Sequence, residues 1–456
     1  MVATKTKNGV DLTEGPFLKK IILFMLPVMC TSLLQSLYNS ADLAIVGHFR
    51  GDLALAAVGS TGAITSLTIN FFMGLSVGAG VVLSHNIGAL NHVGARKTVH
   101  TSILLAVIMG VANMILGILA APYLLRLMGT PDTIIDAATL YMRIIFLGLP
   151  AQMLYNYCAT MVRSSGDASH PLLFLSISGA VNVLLNVFFV ALCGMGVDGV
   201  ALATILSQYL SVAMILVFMY RSNGDIRFSF KELRIDPSLV KSILKIGIPS
   251  GIQSVLFSLS HAVVQSSINS LGDTAVAGIT AAANIDNWVC VACNSGYHAS
   301  VAFVGQNMGA KRYDNVKKVI LYCVICAVAV GLIFGGVILA TPKTFLRIFT
   351  SNDSAVIAAG LSRLYTTVPL FFIYGIMDVL SGALRGMGKS TLTMAISLVT
   401  VCAFHIVWIN TAFVLSPTLT TIFVVGPITW ILTSSIYAFL IVKYFNRLTS
   451  PTSSIA

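Results

Sequence analysis

Apolar runs longer than the roughly 20 residues needed to cross a bilayer recur from one end of the chain to the other, with short polar loops between them. An open sheet would leave backbone groups unpaired in lipid, so every run is expected to be a helix. We count twelve, from 17–47 at the start to 417–444 at the end. Only 9% of residues are charged, against about 25% in an average soluble domain, which leaves too little polar sequence for a soluble domain. The first run is too long for the apolar core of a cleaved signal and reads as a retained helix.

The net charge of +11 does not point to nucleic acid, because the basic residues are spread over many loops instead of forming one arm or face. Assigned alternately to the two sides, all but Arg50, Arg126, Arg143, Lys343, Arg347 and Arg363 fall on the side that carries both termini. The positive-inside rule then places both termini in the cytoplasm of a multi-pass cell-membrane protein.

The chain repeats itself. Gly51-Asp-Leu-Ala-Leu-Ala-Ala57 recurs 221 residues later as Gly272-Asp-Thr-Ala-Val-Ala-Gly278, Asn86-Ile-Gly-Ala as Asn307-Met-Gly-Ala, and Pro27 as Pro249. Arg163-Ser-Ser-Gly166 likewise returns as Arg385-Gly-Met-Gly388. The expected fold is therefore an all-α polytopic membrane protein with twelve transmembrane helices in two six-helix lobes. An even number of helices per copy relates the lobes by a pseudo-two-fold axis along the membrane normal. The lobes are 1–220 and 246–456, joined by a cytoplasmic linker at 221–245 that reads as a tether permitting relative motion.

Within the first run, Gln35, Tyr38, Asn39 and Asp42 follow helical spacing and share one face. An acid at the bilayer centre costs about 2.5 to 3.5 kcal/mol on insertion scales, so Asp42 is a functional candidate. Two further acids, Asp286 and Asp378, lie in later runs; for these the choice is between binding an ion or substrate and an internal bond that fixes packing. In the second copy the position of Asp42 is Val264, while His261, Gln265 and Asn269 keep a polar stripe.

Several motifs resolve to packing or loops. Cys290-x-x-Cys293 and Cys323-x-x-Cys326 fall inside apolar runs and read as small buried residues, not zinc knuckles. Gly388-Lys389-Ser390 lacks the Gly a phosphate loop requires at Ala383, and it joins two membrane runs. His85, His92 and His100 read as solvated loop residues. No cofactor is expected beyond a coupling ion, and the chain is not read as an enzyme.

Twelve helices in a six-plus-six repeat, Pro27 fifteen residues before Asp42, GQNMGA at 305–310 and LRGMG at 384–388 together resemble the multidrug and toxic compound extrusion (MATE) family along essentially the whole chain. That resemblance implies an inner-membrane antiporter that exports organic cations and amphipathic drugs against entry of H⁺ or Na⁺. It implies a protein acting as a monomer among membrane lipids, with no nucleic-acid partner. It also implies an ion-coupling site at Asp42, Asn182, Asn186 and Thr204, since the family's helix 1 aspartate works with polar residues of helices 5 and 6. Tyr374 and Asp378 resemble the family's second-lobe ion site, although the glutamate that completes that site in one branch is here Phe257. Asp286 would then assist ion or substrate binding. Gln35, Tyr38, Asn39, His261, Gln265 and Asn269 would line the drug-binding cleft between lobes. A flippase for lipid-linked oligosaccharides of the same superfamily is the alternative; those carry extra basic residues in the central cavity, and none was expected within these helices.

Pro27 removes one helix hydrogen bond and would let helix 1 bend when Asp42 changes state. Pro27→Ala is expected to impair transport while leaving expression intact, and unchanged transport in vesicles would count against the bend.

Overall fold

The computed structural model describes residues 11–269, 272–349, 354–416 and 418–449. Twelve helices are long and apolar enough to cross a membrane, and no strand occurs among the described residues. A continuous run, Phe17–Gly88, is broken at Gly51 into α1 (17–50) and α2 (52–88). It is followed by α3 (His92–Leu127), α4 (Asp132–Ser164), α5 (Ser169–Leu192) and α6 (Val197–Arg221). The second half consists of α7 (Pro237–Asn269), α8 (Asp273–Gly309), α9 (Tyr313–Ala340), α10 (Ser354–Gly386), α11 (Ser390–Phe413) and α12 (Leu419–Thr449).

The duplication read from the sequence is written into the backbone. Gly51 (φ 77°) and Gly272 (φ 90°) break the chain at matching turns, as do Leu90 (55°) with Lys311 (56°) and Gly166 (92°) with Gly388 (76°). Positive φ is open to glycine at little cost and strained for most other residues. Recurrence of the glycine in two of these pairs is thus a backbone requirement. Helix-interior prolines sit at 27, 150 and 249, while Pro369 lies in a 3₁₀ turn, Val368–Leu370, that interrupts α10.

The chain forms two compact units, one built from Cys30–Gly251 and the other from Leu12–Met29 together with Ile252 onward. The chain leaves one unit for the other within three residues of Pro27 and of Pro249. In the first unit, Val99, Cys158, Met161 and Ile215 belong to one apolar core, and Leu125, Met142, Phe146 and Val200 to another. Small residues let helices approach: a Cβ on Gly74 would lie 2.5 Å from the Gly251 backbone, and one on Gly78 2.2 Å from the Ile243 carbonyl. In the second unit α8 and α10 meet in the same way, with a Cβ on Gly278 falling 2.1 Å from the Val356 carbonyl.

The stretch expected to be a free tether is docked. Ile226 and Phe228 are buried in the first unit's core, and the Ser229 amide donates to His100 Nε2 at 3.0 Å. Thr101 accepts from the Asp236 amide and donates to the Arg234 carbonyl, while His92 pairs with Asp225 at 2.6 Å. His100 is therefore a buried anchor and not a solvated residue; its Nδ1 faces the Arg96 carbonyl at 2.7 Å. Ile226 and Phe228, with Leu233 packed beside them, seat a segment whose charges alone suggested a tether. Asp236 then starts α7, with hydrogen bonds from Ser238 holding its carboxyl below the usual carboxylate range.

Gly272→Ala is expected to destabilise by about 1–3 kcal/mol, because no neighbour crowds the site and backbone strain alone acts. Gly336→Ala, in an open position on helical α9, is expected to leave the melting temperature unchanged or slightly raised. A thermal melt in detergent compares the two.

Candidate functional site

In the first unit, helices α1, α5 and α6 bring Asp42, Asn182, Asn186 and Thr204 together. Asn186 Nδ2 donates to Asp42 Oδ1 at 2.5 Å and reaches Asn182 Oδ1 at 3.3 Å. Thr204 Oγ1 donates to the Val200 carbonyl at 2.9 Å and lies 3.5 Å from Asp42 Oδ2. Its single proton is shared between the two acceptors, the longer contact being a donation to the Asp42 carboxylate. Asn186 is fully buried, and its Oδ1 has no hydrogen-bond partner. Five oxygens of the kind a hard cation prefers, two from Asp42 and one each from Asn182, Asn186 and Thr204, thus gather in one place.

The local sequence explains the placement. Asn182 and Asn186 are one turn apart, and α5 passes into a π-helical stretch, Val187–Leu192, immediately after Asn186. Such stretches re-aim side chains and are frequent at functional sites. Tyr141 on α4 packs against the core of Leu125, Met142 and Phe146 in the same unit. Sequence reading did not single it out, because a tyrosine in an apolar run carries no signal of its own.

The matching position of the second unit differs in kind, since Val264 packs against Ile268, Ile279, Ile422 and Phe423. The other two acids have separate partners. Asp378 accepts from Asn294 Nδ2 at 2.9 Å, and Tyr374, one turn away, packs against Trp430 and Phe371. Asp286 is bound by Arg363 Nε at 2.7 Å and by Thr367. This corrects the placement of Arg363, which was assigned to a loop; it stands inside α10 because a carboxylate 77 residues earlier neutralises it.

Arg385 is a second basic residue inside α10, 6% exposed. It donates to Tyr297 at 2.6 Å and to Gln253 at 2.8 Å. Its sequence neighbourhood of glycines suggested only a turn. Of the expected cleft residues, Gln35, His261 and Gln265 are exposed and Tyr38 donates to the Ser176 carbonyl; the side chains of Asn39 and Asn269 lie outside the described residues.

Twelve helices long enough to span a membrane, in a backbone-level duplication, define a polytopic membrane protein. The MatE family model matches residues 27–188 and again 249–410, the two halves of the repeat. The chain belongs to the MATE family. It is 28% identical to the probable multidrug resistance protein YoeA of Bacillus subtilis over 87% of each chain, and 22% identical to the multidrug export protein MepA of Staphylococcus saprophyticus over 83% of this chain and 84% of that one. Among solved structures, an outward-facing multidrug resistance MATE transporter aligns with TM-score 0.89 and 23% identity over 96% of this chain and 99% of its own. A transporter of the same superfamily from Pyrococcus furiosus, for which a reversed polarity of the binding pocket suggests a different function, aligns with TM-score 0.91 and 23% identity over 98% and 100%.

If the Asp286–Arg363 pair is a structural element, Arg363→Met alone is expected to destabilise by about 3–5 kcal/mol by stranding a buried carboxylate. The double variant Arg363→Met/Asp286→Leu should recover most of that loss. Melting temperatures of the two variants against wild type measure the difference.

Proposed function

We propose that the chain is a cation-coupled antiporter that exports organic cations and amphipathic drugs, with the coupling ion held at Asp42, Asn182, Asn186 and Thr204. The names of the relatives support the drug-export half of this reading. The observation that carries the ion half is the buried, unpartnered Oδ1 of Asn186 beside the Asp42 carboxylate. A buried acceptor left unpaired costs about 1–3 kcal/mol. An arriving cation removes that cost.

The Asn186 amide group bridges Asp42 and Asn182 as a donor. Rotating that amide exchanges nitrogen for oxygen and turns a donor into a ligand without moving a helix. A proton reaching Asp42 would be served equally, since the carboxylic acid becomes a donor to the freed oxygen. Ion entry then competes with drug binding if each ligand favours a different conformation, which is all that exchange requires. Ion-gradient energy is ample, at about 2.3 kcal/mol per charge per 100 mV. The distribution of basic loop residues supports a cytoplasmic position for both termini.

The oligosaccharide-flippase reading has less support. The two arginines of α10 are already engaged, Arg363 by Asp286 and Arg385 by Tyr297 and Gln253. Neither is left to meet a pyrophosphate.

Uptake of a fluorescent cation into everted vesicles, energised separately by ΔpH and by Na⁺, tests the proposal. Wild type is expected to respond to at least one gradient, and Asp42→Asn to lose the response at least tenfold with normal expression. Full coupling in the variant would refute the assignment of the ion to Asp42.

A further inference from the structure

A cavity of about 660 Å³ opens where the first turns of α3 meet the segment leading into α7. Its volume is in the range of small-molecule sites, about 300–1,000 Å³. Arg96 and Lys97 come to it from α3, Lys231 and Arg234 from the docked segment. Among the described residues, none of these four cations has a carboxylate within 4.0 Å. Neither acid at the cavity lies within 4.0 Å of one of these cations. Asp236 accepts the hydrogen bonds that start α7, and Glu232 stands 4.0 Å from His100 Nε2. Four cations against two acids leave a surplus of two positive charges around an open space.

Beside this charge stand apolar side chains that a purely aqueous site would not need. Val93 (67% exposed) and Ile235 (48%) line the cavity, and Phe230 (69%) lies one residue before Lys231. The floor is rigid: His100 and Thr101 hold the segment through the bonds to Ser229, Arg234 and Asp236. The cavity lies at the ends of two spanning helices, hence at headgroup depth.

We propose that this cavity binds the headgroup of an anionic phospholipid from the adjoining leaflet. The phosphate meets the four cations, and the acyl chains run past Val93, Phe230 and Ile235. Phosphate chemistry alone would also suit a soluble phosphate monoester; the exposed apolar rim favours the lipid. Bound lipid would fasten the segment between α6 and α7 to α3, adding an external clamp to the hydrogen bonds already there.

The test uses full-length protein in detergent, wild type and Lys231→Gln/Arg234→Gln, both sites being exposed. Melting temperature is followed during titration with phosphatidylglycerol, phosphatidylcholine or glycerol phosphate, and native mass spectrometry counts retained lipid. Phosphatidylglycerol alone is expected to raise the wild-type melting temperature. The double variant should bind it roughly twenty-five-fold more weakly, about five-fold per cation removed, while Lys231→Arg/Arg234→Lys keeps binding. Equal stabilisation of wild type and the Gln variant, or an effect of phosphatidylcholine as large as that of phosphatidylglycerol, overturns the proposal. Stabilisation by glycerol phosphate equal to that by phosphatidylglycerol overturns the lipid assignment in favour of a soluble anion. Should the double variant fail to fold, Arg96→Gln, at another exposed position, is read by the same titrations against the same outcomes.

Discussion

Hydrocarbon supplies no hydrogen-bond partners, so each polar group carried into the membrane must find its partner within the protein. That constraint organises this molecule. Asp42 is met by Asn186, Asp286 by Arg363, Asp378 by Asn294, and Arg385 by Tyr297 and Gln253. Each pairing joins residues far apart in the chain, so the polar groups also specify which helices are neighbours. At Asn186 Oδ1, beside an acid, the pairing is left incomplete, and the proposed ion site rests on that deficit.

Duplication supplied the scaffold, and divergence supplied the chemistry. Matching turns retain positive φ at Gly51 and Gly272 and at Gly166 and Gly388, since geometry at those points constrains both copies alike. The side chains facing inward are free of that constraint. One copy carries Asp42 among amides and hydroxyls, while the other carries Val264 in an apolar cluster. A duplicated backbone thus carries two chemically different interiors.

Hydropathy over about 20 residues recovered the spans, and helical spacing put Gln35, Tyr38, Asn39 and Asp42 on one face, because both are local rules. The partners of Asp42 on other helices were named only by the family resemblance. Local reading failed where a group is defined by a distant partner. Arg363 was assigned to a loop since a lone cation in a helix is costly, and the cost disappears only once Asp286 is seen beside it. His100 was read as solvated from its neighbours in sequence, although the Ser229 amide, 129 residues away, bonds its ring. The segment after α6 read as a tether by its charge, yet Ile226 and Phe228 bury it.

The amino-acid sequence by itself determined the class: twelve spans, their duplication, the distribution of basic loops and the presence of three membrane acids. These follow from the free energy of transferring each residue into lipid, which is additive along the chain to a useful approximation. Only the tertiary structure decided what each acid is bound to, and which basic residues are spent on pairs and which stand free around the cavity at α3. Pairing energies depend on separation in space, and no rule of spacing along the chain encodes a contact between helices 144 residues apart, as at Asp42 and Asn186.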